Sequence, residues 1–458
     1  MKRRDFIGKS IAGSLGFGAG LTLLSGAASA QGTAANSKIN IALIGCGGRG
    51  TQLLNGFDYP NNSRMKGFRE FDEVNVLYTC DLQKGKGESA AQKSGAKWVP
   101  EMRTVLDDKS VDAVVCALPD HWHALGAILA MQAGKDVYTE KPASQSGWEG
   151  QKMVEAARKY KRICQVGVQN RSAPYNFAAK KYIEEGKLGT IHLCRVFNQK
   201  QEMNTFTINE EPCPAGLNWS AWLGPAKERP YSSTILNRNW HELWDFSSGD
   251  VLNDGVHQID LARWLCGVGI PKTAYCTGGR YTDTKKSDAQ TPDTQIASYA
   301  YDNLTFTVEA THYTGYILKI DSTVRQTDMF PLWMQCSTRI ELYGTKGVMF
   351  VGRHGGGWQV FERPKSRQPF VAAQEFGRFP DNEHKQNFLD CIKSRELPNA
   401  DILQGHISTS LVHYATCSYR LGGVKLDIDT ETGVPKNPEA AQFWKRDYRE
   451  PYVIPEAV

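Results

Sequence analysis

Gly45-Cys46-Gly47-Gly48-Arg49-Gly50 follows an apolar run of strand length, residues 38–44, and precedes a helix-compatible stretch, residues 51–57. In that context the G-x-G-x-x-G spacing fits a dinucleotide. Gly45 permits the tight turn, Gly47 lets the backbone approach a pyrophosphate, and Gly50 permits close helix–strand packing. Free N–H groups at a helix start favour the anion. Arg49 belongs to the same turn and joins the three glycines as a cofactor candidate. Asp81 ends a second strand pattern, 74–80. An acid there accepts ribose hydroxyls and repels a 2′-phosphate, which favours NAD over NADP; it serves equally as a strand-end turn residue. Lys141 ends a short strand, 136–139, after Glu140. A lysine desolvated above a nicotinamide loses stability as a cation. It then orients or deprotonates a substrate hydroxyl while the carbon-bound hydrogen leaves as hydride. Trp240 and His241 lie in an aromatic-rich segment, 200–252, with Trp219, Trp222 and Trp244. Indole faces beside polar groups suit a sugar ring; they also suit a satellite core under a long loop.

The elements that must hold these residues alternate. Apolar strands at 113–118, 136–139 and 163–168 are separated by helix patterns at 120–133 and 147–160. That rhythm predicts a parallel sheet covered on both faces, with ligands at the carboxyl ends of its strands. Those ends carry Gly45, Asp81, Pro119, Glu140-Lys141 and Gln169. The gap from Gly50 to Asp81 exceeds the usual spacing, and an inserted loop at 59–71 accounts for it. The second half reads as strands at 191–199, 273–280, 294–301, 304–312 and 339–343, several of them alternating polar with apolar residues. Such alternation suits an antiparallel sheet with one wetter face. Helices are expected at 384–394 and 407–421, a last strand at 425–428, and an extended surface wrap beyond.

Glu140-Lys141-Pro142 after a short strand resembles the E-K-P motif of the glucose–fructose oxidoreductase, inositol dehydrogenase and MocA family. Segments 44–50, 118–123, 166–171 and 255–260 agree with that family in order, so the resemblance spans essentially the whole mature chain. It implies an α/β protein: a Rossmann doubly wound parallel sheet, then an α/β domain on a mostly antiparallel open sheet whose face often packs in a dimer or tetramer. It implies a cis Pro142, and Pro119 and His123 beside the cofactor. It places His257 on the histidine of a D-x-G-x-H-x-x-D pattern, a residue for proton transfer or hydroxyl binding. Asn253 stands where the family has Asp, and an amide cannot accept a proton as a carboxylate does. The expected domains are a dinucleotide-binding domain at 38–168, a substrate and oligomerisation domain at 169–429, and a tail at 430–458.

Composition narrows the function classes. The 458 residues hold 54 Lys+Arg against 49 Asp+Glu, with 41% hydrophobic residues, which is ordinary globular usage. No basic block suggests nucleic acid. Residues 1–30 read as an export signal: Lys2-Arg3-Arg4, an apolar stretch at 11–24, then Ala28-Ser29-Ala30. Arg3-Arg4-Asp5-Phe6-Ile7 resembles the twin-arginine motif, whose pathway carries folded proteins to the periplasm. The segment is too Gly-rich for a stable membrane anchor, and 31–37 is a linker. Eleven cysteines without a C-x-x-C pair read as small buried hydrophobes, although export would permit a disulfide or two. His121 and His123 lack a third ligand, so no metal site is expected.

The combined expectation is an exported NAD-dependent oxidoreductase acting on a sugar, polyol or glycoside. Lys141 and His257 manage the hydroxyl proton. Gly45, Gly47, Arg49, Gly50, Asp81, Pro119, His123, Glu140 and Gln169 hold NAD. Arg171, Trp240, His241, Asn253 and Asp254 meet the substrate. Two alternatives stay open: glycoside hydrolysis through transient oxidation and elimination, and non-catalytic binding of NAD and sugar.

Overall fold

The computed structural model describes residues 38–59, 63–200, 205–281, 287–312, 314–363, 367 and 370–458. The export signal, the linker and the turn at Pro60-Asn61-Asn62 lie outside the described residues. β1 (Ile39–Ile44) is buried almost throughout, as expected for a strand covered on both faces. Strands form at the inserted segment: β2 (Phe57–Tyr59) and β3 (Ser63–Met65) pair antiparallel, braced where Arg64 reaches Asp58 and Glu70, each at 2.9 Å. It is therefore not simply a loop.

Four strands come next: β4 (Val74–Cys80), β5 (Lys97–Val99), β6 (Ala113–Cys116) and β7 (Asp136–Thr139). With β8 (Cys164–Val166) and β1 they make a six-stranded sheet ordered β5-β4-β1-β6-β7-β8, parallel at every pairing. The chain moves outward from β1 to β4 and β5, then returns to β6 on the other side. The crevice between β1 and β6 is thus the switch point where open α/β sheets bind ligands. Helices Asp120–Gln132 and Gly147–Lys159 pack against the sheet through an apolar cluster that includes Val114, Ile128 and Met153.

The second sheet has nine strands. They are β9 (Ile191–Gln199), β10 (Thr273–Gly279), β11 (Thr294–Ala300), β12 (Thr305–Thr311), β13 (Arg339–Gly344), β14 (Gly347–Gly352), β15 (Trp358–Glu362), β16 (Val371–Glu375) and β17 (Leu426–Asp427). Their order is β16-β15-β14-β13-β9-β12-β11-β10-β17, and only β9 and β12 pair in parallel. In β12 the alternation puts Phe306, Val308 and Ala310 inward and leaves Thr305, Thr307 and Glu309 wetter. Helices Val256–Cys266 and Ile402–Arg420 cover the inner face through Ile259, Leu265, Leu411 and Val412. Ile402 joins the core of the first sheet, so the second helix ties both layers together.

The tail is not merely a surface wrap. Trp444 stacks on Tyr414 at 5.1 Å, and Ile454 and Val458 sit in the core of the first sheet. Arg446 pairs with buried Glu149 at 2.6 Å. Widely spaced apolar residues without helical or strand period hid this docking from pattern reading.

Candidate active site

The carboxyl ends of the first sheet and the inner edge of the second enclose a cleft of about 810 Å³. Its floor is the glycine turn. Gly45 has φ +93°, and a Cβ there would lie 2.4 Å from the Ala117 carbonyl oxygen, so only glycine fits. At Gly50 a Cβ would meet the Gly45 carbonyl oxygen at 1.9 Å. Gly50 does not line the cleft; it lets the helix seat closely on the turn. Helix Gly48–Asn55 starts from Gly47 without a side-chain cap and without an acid in its first turn. Its first N–H groups are left for an anion.

Asp81 stands at the end of β4. Its Oδ2 accepts from the Cys46 N–H at 2.8 Å, and its Oδ1 from the Gln83 N–H at 2.8 Å. Burial pushes this carboxyl up, and the two N–H donors counter it. The side chain is thereby fixed in the cleft beside the glycine turn. Replacement by Ala is expected to weaken NAD binding about ten-fold, the worth of hydrogen bonds to a charged group. It should also erase the preference over NADP, measured by titrating both nucleotides. An unchanged preference would remove Asp81 from ribose recognition.

His123 braces the middle of the cleft. Its Nδ1 lies 2.6 Å from the Pro142 carbonyl oxygen and its Nε2 2.8 Å from that of Leu118. The imidazole so joins the loop after β6 to Pro142, whose peptide bond with Lys141 is cis. Pro119 lines the cleft beside it. Gln169 donates to the Tyr138 hydroxyl at 3.3 Å, while its buried Oε1 has no partner among the described residues. Arg49 is engaged differently from a simple phosphate ligand. Its Nε donates to Glu140 at 2.8 Å and its Nη2 to Asp381 at 3.0 Å. Asp381 in turn holds Lys385 at 2.5 Å, with both side chains fully buried.

Lys141 projects into the centre. Its amine donates to the Asn253 Oδ1 at 2.9 Å and also to the Asn253 carbonyl oxygen. Burial pushes the ammonium down, against the pull of Asp254 and Glu140. The two oxygens of Asn253 take two of its N–H groups, and the remaining position on the nitrogen is left for a substrate hydroxyl. The amide at 253 therefore partners Lys141, a role that its difference from the family's Asp did not suggest. His257 is buried, with its Nδ1 3.3 Å from the Nε2 of His354. Burial, then the charges of Arg353 and Lys141, hold it well below the usual imidazole range. Both Asn253 and Asp254 stand in a wide helical turn, Val251–Gly255, that opens helix Val256–Cys266. Such turns concentrate at functional sites.

Two expectations change. Asp254 lines the cleft, but cations hold its carboxylate: Arg353 at Oδ1, and Lys200 and Lys319 at Oδ2 at 2.7 and 2.9 Å. They keep it well below the usual carboxylate range, and it is not a free acceptor for a sugar hydroxyl. Arg171 does not line the cleft. Its Nε lies 2.9 Å from each oxygen of Asp260, beneath Trp264, as a buried structural pair. The tryptophans divide between the two roles. Trp240 stacks on His241 at 3.6 Å, and both line the cleft with Trp222. Trp219 stacks on Trp222 at 4.7 Å within a satellite core that holds Leu223 and Phe246. Lys200, Lys319, Arg353 and His354 complete the wall without having carried a motif. The His354-Gly355-Gly356-Gly357 run after Arg353 was the available signal, a turn with positive φ throughout.

Every described cysteine is unbridged. Among the described residues no group of three His, Cys, Asp or Glu side chains is placed to hold a metal. No described helix is long and apolar enough to cross a membrane.

The chain matches two family descriptions: an oxidoreductase family's NAD-binding Rossmann fold over residues 39–168, and its C-terminal alpha/beta domain over 180–426. It is 24% identical over 363 residues to scyllo-inositol 2-dehydrogenase (NAD(+)) of Bacillus subtilis, covering 76% of this chain and 87% of that one. It is 38% identical over 168 residues, 36% of each chain, to levoglucosan dehydrogenase of Pseudarthrobacter phenanthrenivorans. Among solved structures, a levoglucosan dehydrogenase complex with NADH and levoglucosan superposes with a TM-score of 0.61 at 19% identity, covering 85% of this chain and 99% of that one. The WlbA dehydrogenase from Bordetella pertussis, in complex with NADH and UDP-GlcNAcA, gives 0.60 at 20% identity, over 86% and 99%. At these identities the structural likeness speaks for the fold.

Proposed function

Because this chain belongs to the Gfo/Idh/MocA oxidoreductase family, we propose that it moves a hydride between NAD and a hydroxyl-bearing carbon of a sugar, polyol or glycoside. The residues fit the cofactor. The glycine turn leaves open space above Gly47, the adjoining helix start is uncapped, and Asp81 is fixed at the end of β4. Bound in the cleft, NAD supplies the redox chemistry.

The protein's own part is positioning and proton transfer. The observation that carries the reading is the Lys141 amine, desolvated, lining the cleft and held by the two oxygens of Asn253 with a further position on its nitrogen left open. It accepts the hydroxyl proton as the carbon is oxidised. His257 is neutral at working pH, and with Nδ1 turned to His354 its Nε2 remains to bind a hydroxyl. Trp240 offers a flat apolar face to the C–H side of the ring. Export through the twin-arginine route suits this reading, because a folded protein carries its nucleotide with it.

The test is direct. The purified mature protein is denatured to release its small molecules. Sugars, polyols and glycosides are then screened with NAD for reduced nicotinamide and oxidised product. NAD in the released fraction and product from at least one sugar support the reading; a protein that neither retains nor binds NAD contradicts it.

Asn253→Asp makes a second test. A carboxylate beside Lys141 favours the ammonium. The acid limb of the oxidation rate reports loss of the Lys141 proton, and it should move to higher pH in the variant. In the parent enzyme that limb lies below about 10.4, the ordinary lysine value. A pH–rate profile unmoved by the substitution would separate Asn253 from the amine.

A further inference from the structure

Three cations converge on one carboxylate in the cleft wall. Asp254 receives Lys200, Lys319 and Arg353. Among the described residues the only other carboxylate bonded to them is Asp250, which shares Lys200 and also accepts from Asn198 at 2.8 Å. Glu242 lies nearby, but burial pushes its carboxyl up and Thr291 donates to it. Three basic side chains therefore share the carboxylates of Asp254 and Asp250, and burial, then the charges of Lys200 and Arg353, push the Lys319 ammonium down against the pull of Asp254. Crowding basic groups in this way is costly without a further anion. Arg353 shows the need most plainly. Its side chain is 8% exposed, Nη2 is used by Asp254, and its buried Nε and Nη1 have no partner among the described residues. Lys319, by contrast, is 44% exposed and lines the cleft with Arg353 and Lys200. On the same wall stand Asn253 and His257, beside the amine of Lys141.

We propose that this wall is a subsite for a single negative charge on the substrate, and that the sugar is an acid: a uronic acid unit whose carboxylate reaches Lys319 and Arg353 while its ring hydroxyl meets Lys141. The guanidinium's planar fork fits a carboxylate. Asp254 is thereby a positioning residue, gathering the three cations into one place. The inference rests on the oxidoreductase reading for the sugar's orientation, but the charge requirement can be measured separately.

NAD-loaded protein is titrated with matched pairs of methyl uronides and neutral methyl glycosides, followed by tryptophan fluorescence, since Trp222 and Trp240 line the cleft. The best uronide should bind at least about ten-fold more tightly than its neutral partner, as a hydrogen bond to a charged group provides. The preference should shrink with added salt. In Lys319→Met the ratio of the two affinities should fall about ten-fold, and Lys319→Arg should restore it. Equal binding within every pair, or an unchanged ratio in Lys319→Met, overturns the proposal. A sulfated glycoside that outbinds the uronide overturns the carboxylate assignment. A uronide that binds preferentially yet never yields reduced nicotinamide leaves the subsite standing and removes the oxidoreductase step.

Discussion

Lys141→Met is expected to lower kcat for sugar oxidation by about 10²- to 10⁴-fold, the range of a positioned general base. The amine reaches no glycine-turn residue; its partners are the two oxygens of Asn253. NAD should therefore remain bound with little change in affinity, measured by titration beside the rate. Lys141→Arg should not rescue turnover, because a guanidinium stays protonated and offers no lone pair. A methionine variant that keeps the parent kcat would assign the proton to another group, His257 first among them.

The largest stability effect should come from a residue outside the reaction. Asp381 is fully buried between Lys385 and Arg49, and Arg49 continues to Glu140, the neighbour of Lys141. Asp381→Asn leaves two cations facing an amide. Breaking a buried pair in this way costs about 3–5 kcal/mol, read as a lower denaturant midpoint. Arg49 and Lys385 together hold the Asp381 carboxyl well below its usual range. A depressed carboxyl contributes stability above its unfolded value of about 3.9 and loses it as pH falls toward the folded value. The gap between parent and variant should accordingly be full at neutral pH and narrow on acidification below that value. A gap that is constant with pH would show that the carboxylate's charge is not what matters. Because Arg49 braces Glu140, NAD affinity should fall with stability.

Chemistry tied to short local motifs was legible in the sequence. The strand–glycine–helix unit, the acid ending β4, and the Glu140-Lys141 pair depend on neighbours along the chain, and the structure gathers them at the switch point between β1 and β6. The five expected strands of the second sheet also appear, because their alternation survives in each strand. β14 and β15 escaped, since glycines at 344, 347, 352 and 355–357 interrupt any period, and β16 escaped because its five residues, Val371–Glu375, are mostly exposed and show no apolar alternation. The cationic wall was illegible for a different reason. Lys200 and Lys319 are 119 residues apart, β13 and β14 intervene between Lys319 and Arg353, and nothing local marks their convergence on Asp254. Arg171 misled because a motif position does not reveal that Asp260, far along the chain, neutralises it. Asn253 was read as a loss by its difference from an acid, whereas the hydrogen bonds make both of its oxygens acceptors for the Lys141 amine.

Rapid mixing of NAD-saturated protein with a panel of uronides and neutral glycosides tests the central claim most directly, with the absorbance of reduced nicotinamide followed through the first turnover. The account predicts a rise in the first turnover with at least one sugar, in amplitude comparable to the active sites, and a rise slowed at least about 10²-fold in Lys141→Met. A protein that binds both NAD and sugar yet shows no reduced nicotinamide with any member of the panel, or whose rise is equally fast without the Lys141 amine, would contradict it.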